Sequence, residues 1–239
     1  MLVLGFDTAT PAVSVAVHDG ARVVGEAFAV DARRHGELLA PMIAKVMADA
    51  GAARADLTAV AVGVGPGPYT GLRVGVVTAR VLGAVLGIPV YGVCTLDVIA
   101  AAVPATPGRE FLVATDARRK EVYWARYDGD GRRLEGPLVS TASSIPGAAE
   151  LTVAGAGGQL YPEAFGEVAG PAYPQARTLC EIVAAQLGEP GGPDPVRARD
   201  GARPGAVARV SPPLLAAEPL YLRRPDAREP GPPKRVTPP

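Results

Sequence analysis

One stretch of this chain occurs twice. Set without gaps, DTATPAVSVAVHDG from Asp7 and DARRKEVYWARYDG from Asp116 place Asp7 on Asp116, Val13 on Val122, Ala16 on Ala125, Asp19 on Asp128 and Gly20 on Gly129. In each copy an apolar run ends in aspartate and a hairpin follows. Further on, AVAVGVGPG (59–67) finds a counterpart in LTVAGAGG (151–158), again an apolar run leading into glycines. Chance matching in a Val-, Ala- and Gly-rich chain is the competing account. A true repeat confines the chain to a duplicated architecture, one unit per half.

The first unit can be read element by element. LVLGFD (2–7), PAVSVAVHDG (11–20) and ARVVGEAFAV (21–30) read as three successive strands, antiparallel neighbours with a hairpin turn at Asp19-Gly20. ELLAPMIAKVMADAG (37–51) has Leu38, Leu39, Met42, Ile43, Val46 and Met47 at helical spacing, and the ring of Pro41 places the helix start near Glu37 or Leu38. LTAVAVGVG (57–65), LRVGVVTARVLGAVLG (72–87) and IPVYGV (88–93) then read as strand, helix and strand, which implies parallel pairing. The expected fold is therefore α/β, with two mixed-sheet subdomains and crossover helices, at 1–107 and 108–224. GEPGGPDPVRARDGARPG, from Gly188, reads as a long loop, EPLYLRR (218–224) as a last short strand and 225–239 as a mobile tail.

Composition narrows the chemistry. The 24 basic and 24 acidic residues cancel, which argues against unaided nucleic-acid binding. Signal-peptide features are missing and no apolar run approaches membrane-spanning length, so a cytosolic location is expected. Cys94, at a strand end, and Cys180, opening a helix, have no CxxC partner and read as buried thiols. His18 and His35 form no HxxxH or HExxH pair, and GxSxG is absent, so neither a zinc hydrolase nor a serine nucleophile is indicated. The basic runs Arg33-Arg34, Arg118-Arg119-Lys120 and Arg132-Arg133 read as solvated turn and loop edges.

A duplicated strand–aspartate–hairpin unit is how actin-like folds make two facing phosphate loops around a hydrated Mg²⁺. Asp7, Thr8, Thr10 and Asp116 are the candidate set for Mg-ATP or ADP. Two readings stand. Pro11 removes an amide from the first loop, and Arg118, Arg119 and Lys120 crowd the second, so a vestigial site is as consistent as a working one. GVGPGPYTGLRVG (63–75) lacks the P-loop lysine and reads as a structural turn into a helix, with Tyr69 and Arg73 available to a partner. Behind it Gly75, Ala79 and Gly83 recur every four residues, a ridge suited either to close packing on the sheet or to another subunit. The wide apolar arc of helix 37–50, with Leu38, Met42 and Val46, favours the second, so these six residues are expected at a partner interface.

The segments FDTATPAVSVAV, RRHGELLAPMI, GPGPYTGLRVGVVTARVLG, TDARRKEVYWARY and EPLYLRR together resemble the bacterial TsaB (YeaZ) family, from about Leu2 to Arg224. That resemblance implies an actin-like ATPase fold and an accessory, non-catalytic role in threonylcarbamoylation of tRNA at adenosine 37. The implied partners are the catalytic subunit TsaD, bound through the helices after the first hairpin, and the ATPase TsaE, with tRNA met only through the complex; a monomer and a homodimer both stand as readings of the chain alone. In TsaD a metal-binding HxxxH follows the strand corresponding to IPVYGV, whereas CTLDVIA stands here. An actin-like small-molecule kinase or ATPase is the rival reading, motivated by Asp7 and Asp116. A metallopeptidase fails for want of ligands.

Overall fold

The computed structural model describes residues 1–188 and 212–223; most of the Pro- and Gly-rich segment and the 225–239 tail lie outside them. The first half comprises β1 (Val3–Asp7), β2 (Ala12–His18), β3 (Val23–Val30), α1 (His35–Asp49), β4 (Ala59–Gly63), α2 (Tyr69–Leu86), β5 (Val90–Val93) and α3 (Thr95–Ala101). The second comprises β6 (Phe111–Asp116), β7 (Glu121–Tyr127), β8 (Arg133–Thr141), β9 (Thr152–Ala154), α4 (Ala156–Leu160), β10 (Glu167–Val168) and α5 (Ala176–Gly188). The sheets run β3-β2-β1-β4-β5 and β8-β7-β6-β9-β10. Each has two antiparallel pairings followed by two parallel ones. The shared order establishes the duplication: this is a duplicated actin-like α/β fold.

The helices cover the sheets crosswise. α1 and α2, the crossovers of the first sheet, bury Leu39, Val46, Leu72 and Val76 against Phe6, Val15, Val60 and Val62. The opposite face of that sheet receives α5, whose Leu179, Cys180 and Val183 meet Val3, Ala16 and Ala61. Gly5 permits the approach, because a Cβ there would collide with Cys180 Sγ. Ser14 Oγ accepts from the Ala176 amide at 2.6 Å and so caps the helix end. In exchange α3 covers the second sheet, with Leu96, Ile99 and Ala100 against Val113, Ala125 and Tyr127. Asp97 pins it there, accepting from Tyr127 Oη at 2.7 Å and from Arg133 Nη1 at 3.1 Å. The cut at 107/108 thus divides the repeats in sequence without dividing their packing.

Several element boundaries differ from the sequence reading. α1 starts at His35, and Pro41 lies inside it at an exposed position. The proline forgoes one intrahelical bond without ending the helix. α2 starts at Tyr69, so part of the glycine–proline stretch is already helical. EPLYLRR forms no strand among its described residues. Pro219 has no amide to give a ladder. Instead Leu215 exchanges two bonds with Gly92, at 2.7 and 2.8 Å, and the Leu220 amide donates to Val64 O at 2.8 Å, laying a strap on the outer edge of β5. Cys180 lies in the second turn of α5, not at its start. Both thiols are buried and pushed up by that burial, Cys94 to about 12.

Candidate functional site

The first hairpin gathers Asp7, Thr8 and Thr10, all buried. Asp7 Oδ1 accepts from the Ala9 amide at 2.7 Å, and Oδ2 accepts from Thr95 Oγ1 at 2.8 Å. Thr95 in turn accepts from the Gly65 amide at 3.1 Å, so the carboxylate anchors the glycine–proline loop. Gly63 closes over it; any Cβ there would collide with the Asp7 carboxylate. Thr8 Oγ1 donates to Gly71 O at 2.7 Å and accepts from the Gly75 amide at 3.0 Å. Thr10 Oγ1 accepts from the Ala12 amide at 3.3 Å, and His35 Nε2 donates to Thr10 O at 2.7 Å. Groups that a phosphate would need are bonded to the chain itself. Burial pushes the Asp7 carboxyl up to about 6, opposed by the Ala9 amide, the Thr95 hydroxyl and the charge of His35.

Asp116 does not complete a facing pair. In β2 and β7 the ungapped comparison holds: Val13 and Val122 both face the crossover side of their sheets, and Ala16 and Ala125 both face the side shared between halves. In β1 and β6 it slips by one. Leu4 pairs with Val60 as Leu112 pairs with Val153, each on the crossover side, which equates Asp7 with Thr115 and Thr8 with Asp116. The second hairpin holds one residue more than the first, and alternation along a strand turns that single residue into a change of face. Asp116 therefore points away from the face that Asp7 occupies. Its Oδ1 accepts from the Arg118 amide at 2.7 Å. Thr115, in the place of Asp7, is buried, and its hydroxyl has no hydrogen-bond partner among the described residues.

Between the hairpins lies a cleft of about 220 Å³ lined by Thr8, Thr10, Arg33, His35, Thr70 and Arg118, among others. Small-molecule sites usually span roughly 300–1,000 Å³. Among the described residues no three His, Cys, Asp or Glu side chains come together as a metal site.

Of the six residues expected at a partner interface, five are buried within the chain and Leu38 is half-buried. Gly75, Ala79 and Gly83 face the chain's own sheet: a Cβ at Gly75 would lie 2.5 Å from Thr8 Oγ1, and one at Gly83 would collide with Val90. Met42 and Val46 are core residues, and Leu38 is half-buried beside them. The ridge exists because the sheet needs α2 close. On the other side of α2, however, Val77, Val81 and Val85 are 56%, 54% and 77% exposed, an apolar stripe at four-residue spacing. The valines repeat every four residues, as the ridge does, on the opposite side of the helix. α2 is also 18 residues long with a mean hydropathy of 1.3, enough to cross a membrane by length and composition, yet its ridge is built into the sheet. At its N-terminal end the Arg73 guanidinium stands 4.0 Å over the Tyr69 ring, and Arg73 Nε donates to Tyr221 Oη at 2.9 Å. Tyr221 stacks on Tyr69 with centroids 5.3 Å apart.

Comparison with known proteins gives this geometry a family. The family described as TsaD, tRNA N6-adenosine threonylcarbamoyltransferase, matches residues 25–162, more than half of the chain. An uncharacterized protein of Mycobacterium tuberculosis is 45% identical over 234 residues, covering 95% of this chain and 93% of its own. The tRNA threonylcarbamoyladenosine biosynthesis protein TsaB of Escherichia coli is 39% identical over 132 residues, 54% of this chain and 56% of that protein. YeaZ from Pseudomonas aeruginosa superimposes with a TM-score of 0.70 at 26% identity, over 92% of this chain and 99% of that one. With its duplicated sheets, its first hairpin bonded to itself and these relatives, the chain belongs to the TsaB/YeaZ family.

Proposed function

We propose that the chain is a non-catalytic subunit for making threonylcarbamoyladenosine in tRNA, seated in the cytoplasm on a TsaD-type catalytic subunit through the outer face of α2. TsaE joins that pair, and any Mg-ATP or ADP contact belongs to a composite site in the assembly. The exposed stripe of Val77, Val81 and Val85 carries this reading. The helix is already anchored on its other face, and exposed apolar surface at helical spacing of this kind marks protein association. The internally bonded hairpin supports the non-catalytic part, since Asp7 and Thr8 are spent on structure.

The test is co-expression with the TsaD of the same organism, followed by size-exclusion chromatography. Co-elution is expected for the wild type and its loss for Val77→Glu/Val81→Glu, with the melting transition of the chain alone nearly unmoved, because both side chains are already in water. Co-elution that survives the double substitution would sink the α2 assignment. Appreciable ATP turnover by the purified chain, abolished by Asp7→Ala, would favour a kinase or ATPase instead.

A further inference from the structure

The second hairpin presents three consecutive cations in a backbone geometry that does not suit them. The turn is closed by the Ala117 amide donating to Glu121 O and the Glu121 amide donating to Arg118 O, both at 3.0 Å. Between them Arg118, Arg119 and Lys120 have φ of 63°, 55° and 63°. Each is a left-handed residue with a Cβ, at a cost of roughly 1–2 kcal/mol that glycine would avoid. All three side chains are exposed. The turn by itself would be better served by glycines.

Their surroundings are cationic as well. Arg118 shares the cleft lining with Arg33. The nearby carboxylates are taken: Asp116 by the Arg118 amide and, at 3.4 Å, its guanidinium; Glu37 by Arg34; Glu121 by Arg223. Among the described residues no carboxylate pairs with Arg33 or Lys120. Opposite the tip, the first hairpin offers few free donors to a small phosphate ligand. A hairpin tip bearing several cations beside another basic side chain suits an extended polyanion.

We infer that the Arg118-Arg119-Lys120 tip, with Arg33, is a contact for the phosphate backbone of tRNA. This rests on the role in tRNA modification proposed above. The chain has no net charge, so the contact is too weak to hold RNA alone and acts within the complex with TsaD. It positions the substrate without reading its sequence.

Salt-dependent binding of a tRNA transcript to the complex of the full chain with TsaD tests it. The variant is Arg118→Gly/Arg119→Gly/Lys120→Gly, which removes the cations and relieves the backbone. Each lost phosphate contact should lower the slope of log affinity against log salt by roughly 0.7–0.9, and affinity near physiological salt should fall about tenfold or more. The melting temperature of the chain should rise. Arg118→Lys/Arg119→Lys should keep the slope. An intact complex whose tRNA affinity and slope are unchanged by the glycine variant would overturn this inference and leave the subunit role standing. So would a variant that loses affinity for Mg-ADP or inorganic phosphate while binding tRNA normally. If the wild type forms no complex with TsaD, the proposed role itself fails.

Discussion

Asp7 is the acidic candidate of the first hairpin, yet its two oxygens secure Ala9 and Thr95. Its carboxyl is raised from 3.8 to about 6, so the folded state holds this proton more tightly than the unfolded chain does. Stability from this group is therefore fully present below pH 3.8 and is lost as pH rises through 6, a difference of about 3 kcal/mol at neutral pH. Asp7→Asn removes that dependence, so its stability relative to wild type should improve steadily between pH 4 and pH 7 in urea titrations. A difference that does not change with pH would show that the carboxylate is not penalised. Thr115→Val is the companion case. It deletes a buried hydroxyl that lacks a partner among the described residues and should stabilise the chain by about 1 kcal/mol, read as a higher urea midpoint. The residue types at the first hairpin were legible in the sequence, whereas the face of Asp116 was not. One extra residue in a turn leaves no mark in an ungapped comparison, although it reverses every side chain on one strand.

α2 shows how far periodicity reaches. Its existence, its ridge and its stop before Gly87 follow from spacing and from the left-handed glycine at its end. Which face meets the sheet does not follow, because valines and small residues both repeat every four positions. Sheet distance settles it, and sheet distance is a property of the fold. The two faces should respond differently to substitution. Gly75→Ala places a methyl group against Thr8 Oγ1 and presses on the Thr8 bond to the Gly75 amide. Overpacking of this kind costs about 1–3 kcal/mol, so the melting temperature should fall by roughly 2–12 °C for a chain of this size. At temperatures where the variant is folded, co-elution with TsaD should be unchanged. Weakened association without loss of stability would return the ridge to the interface.

At the scale of the whole molecule, the repeats are legible in sequence but their mutual dependence is not. Strand and helix patterns suggest two subdomains, at 1–107 and 108–224. Nothing in the local spacing of α5 says that it belongs on the first sheet. Yet α5 supplies Leu179, Cys180 and Val183 to the face formed by Val3, Ala16 and Ala61, and α3 supplies Leu96, Ile99 and Ala100 to the second sheet. Without α5 that face of the first sheet would lie open, a continuous apolar surface on strands that read as buried on both sides. A fragment ending at residue 107 should therefore aggregate or remain loosely packed, while the full chain unfolds in one cooperative transition. Differential scanning calorimetry of the full chain is the decisive measurement. A single peak whose calorimetric and van't Hoff enthalpies agree is expected from the exchanged helices. Two resolved peaks, or a soluble fragment with a sharp melting transition of its own, would mean that each sheet closes its core without the other half's helix.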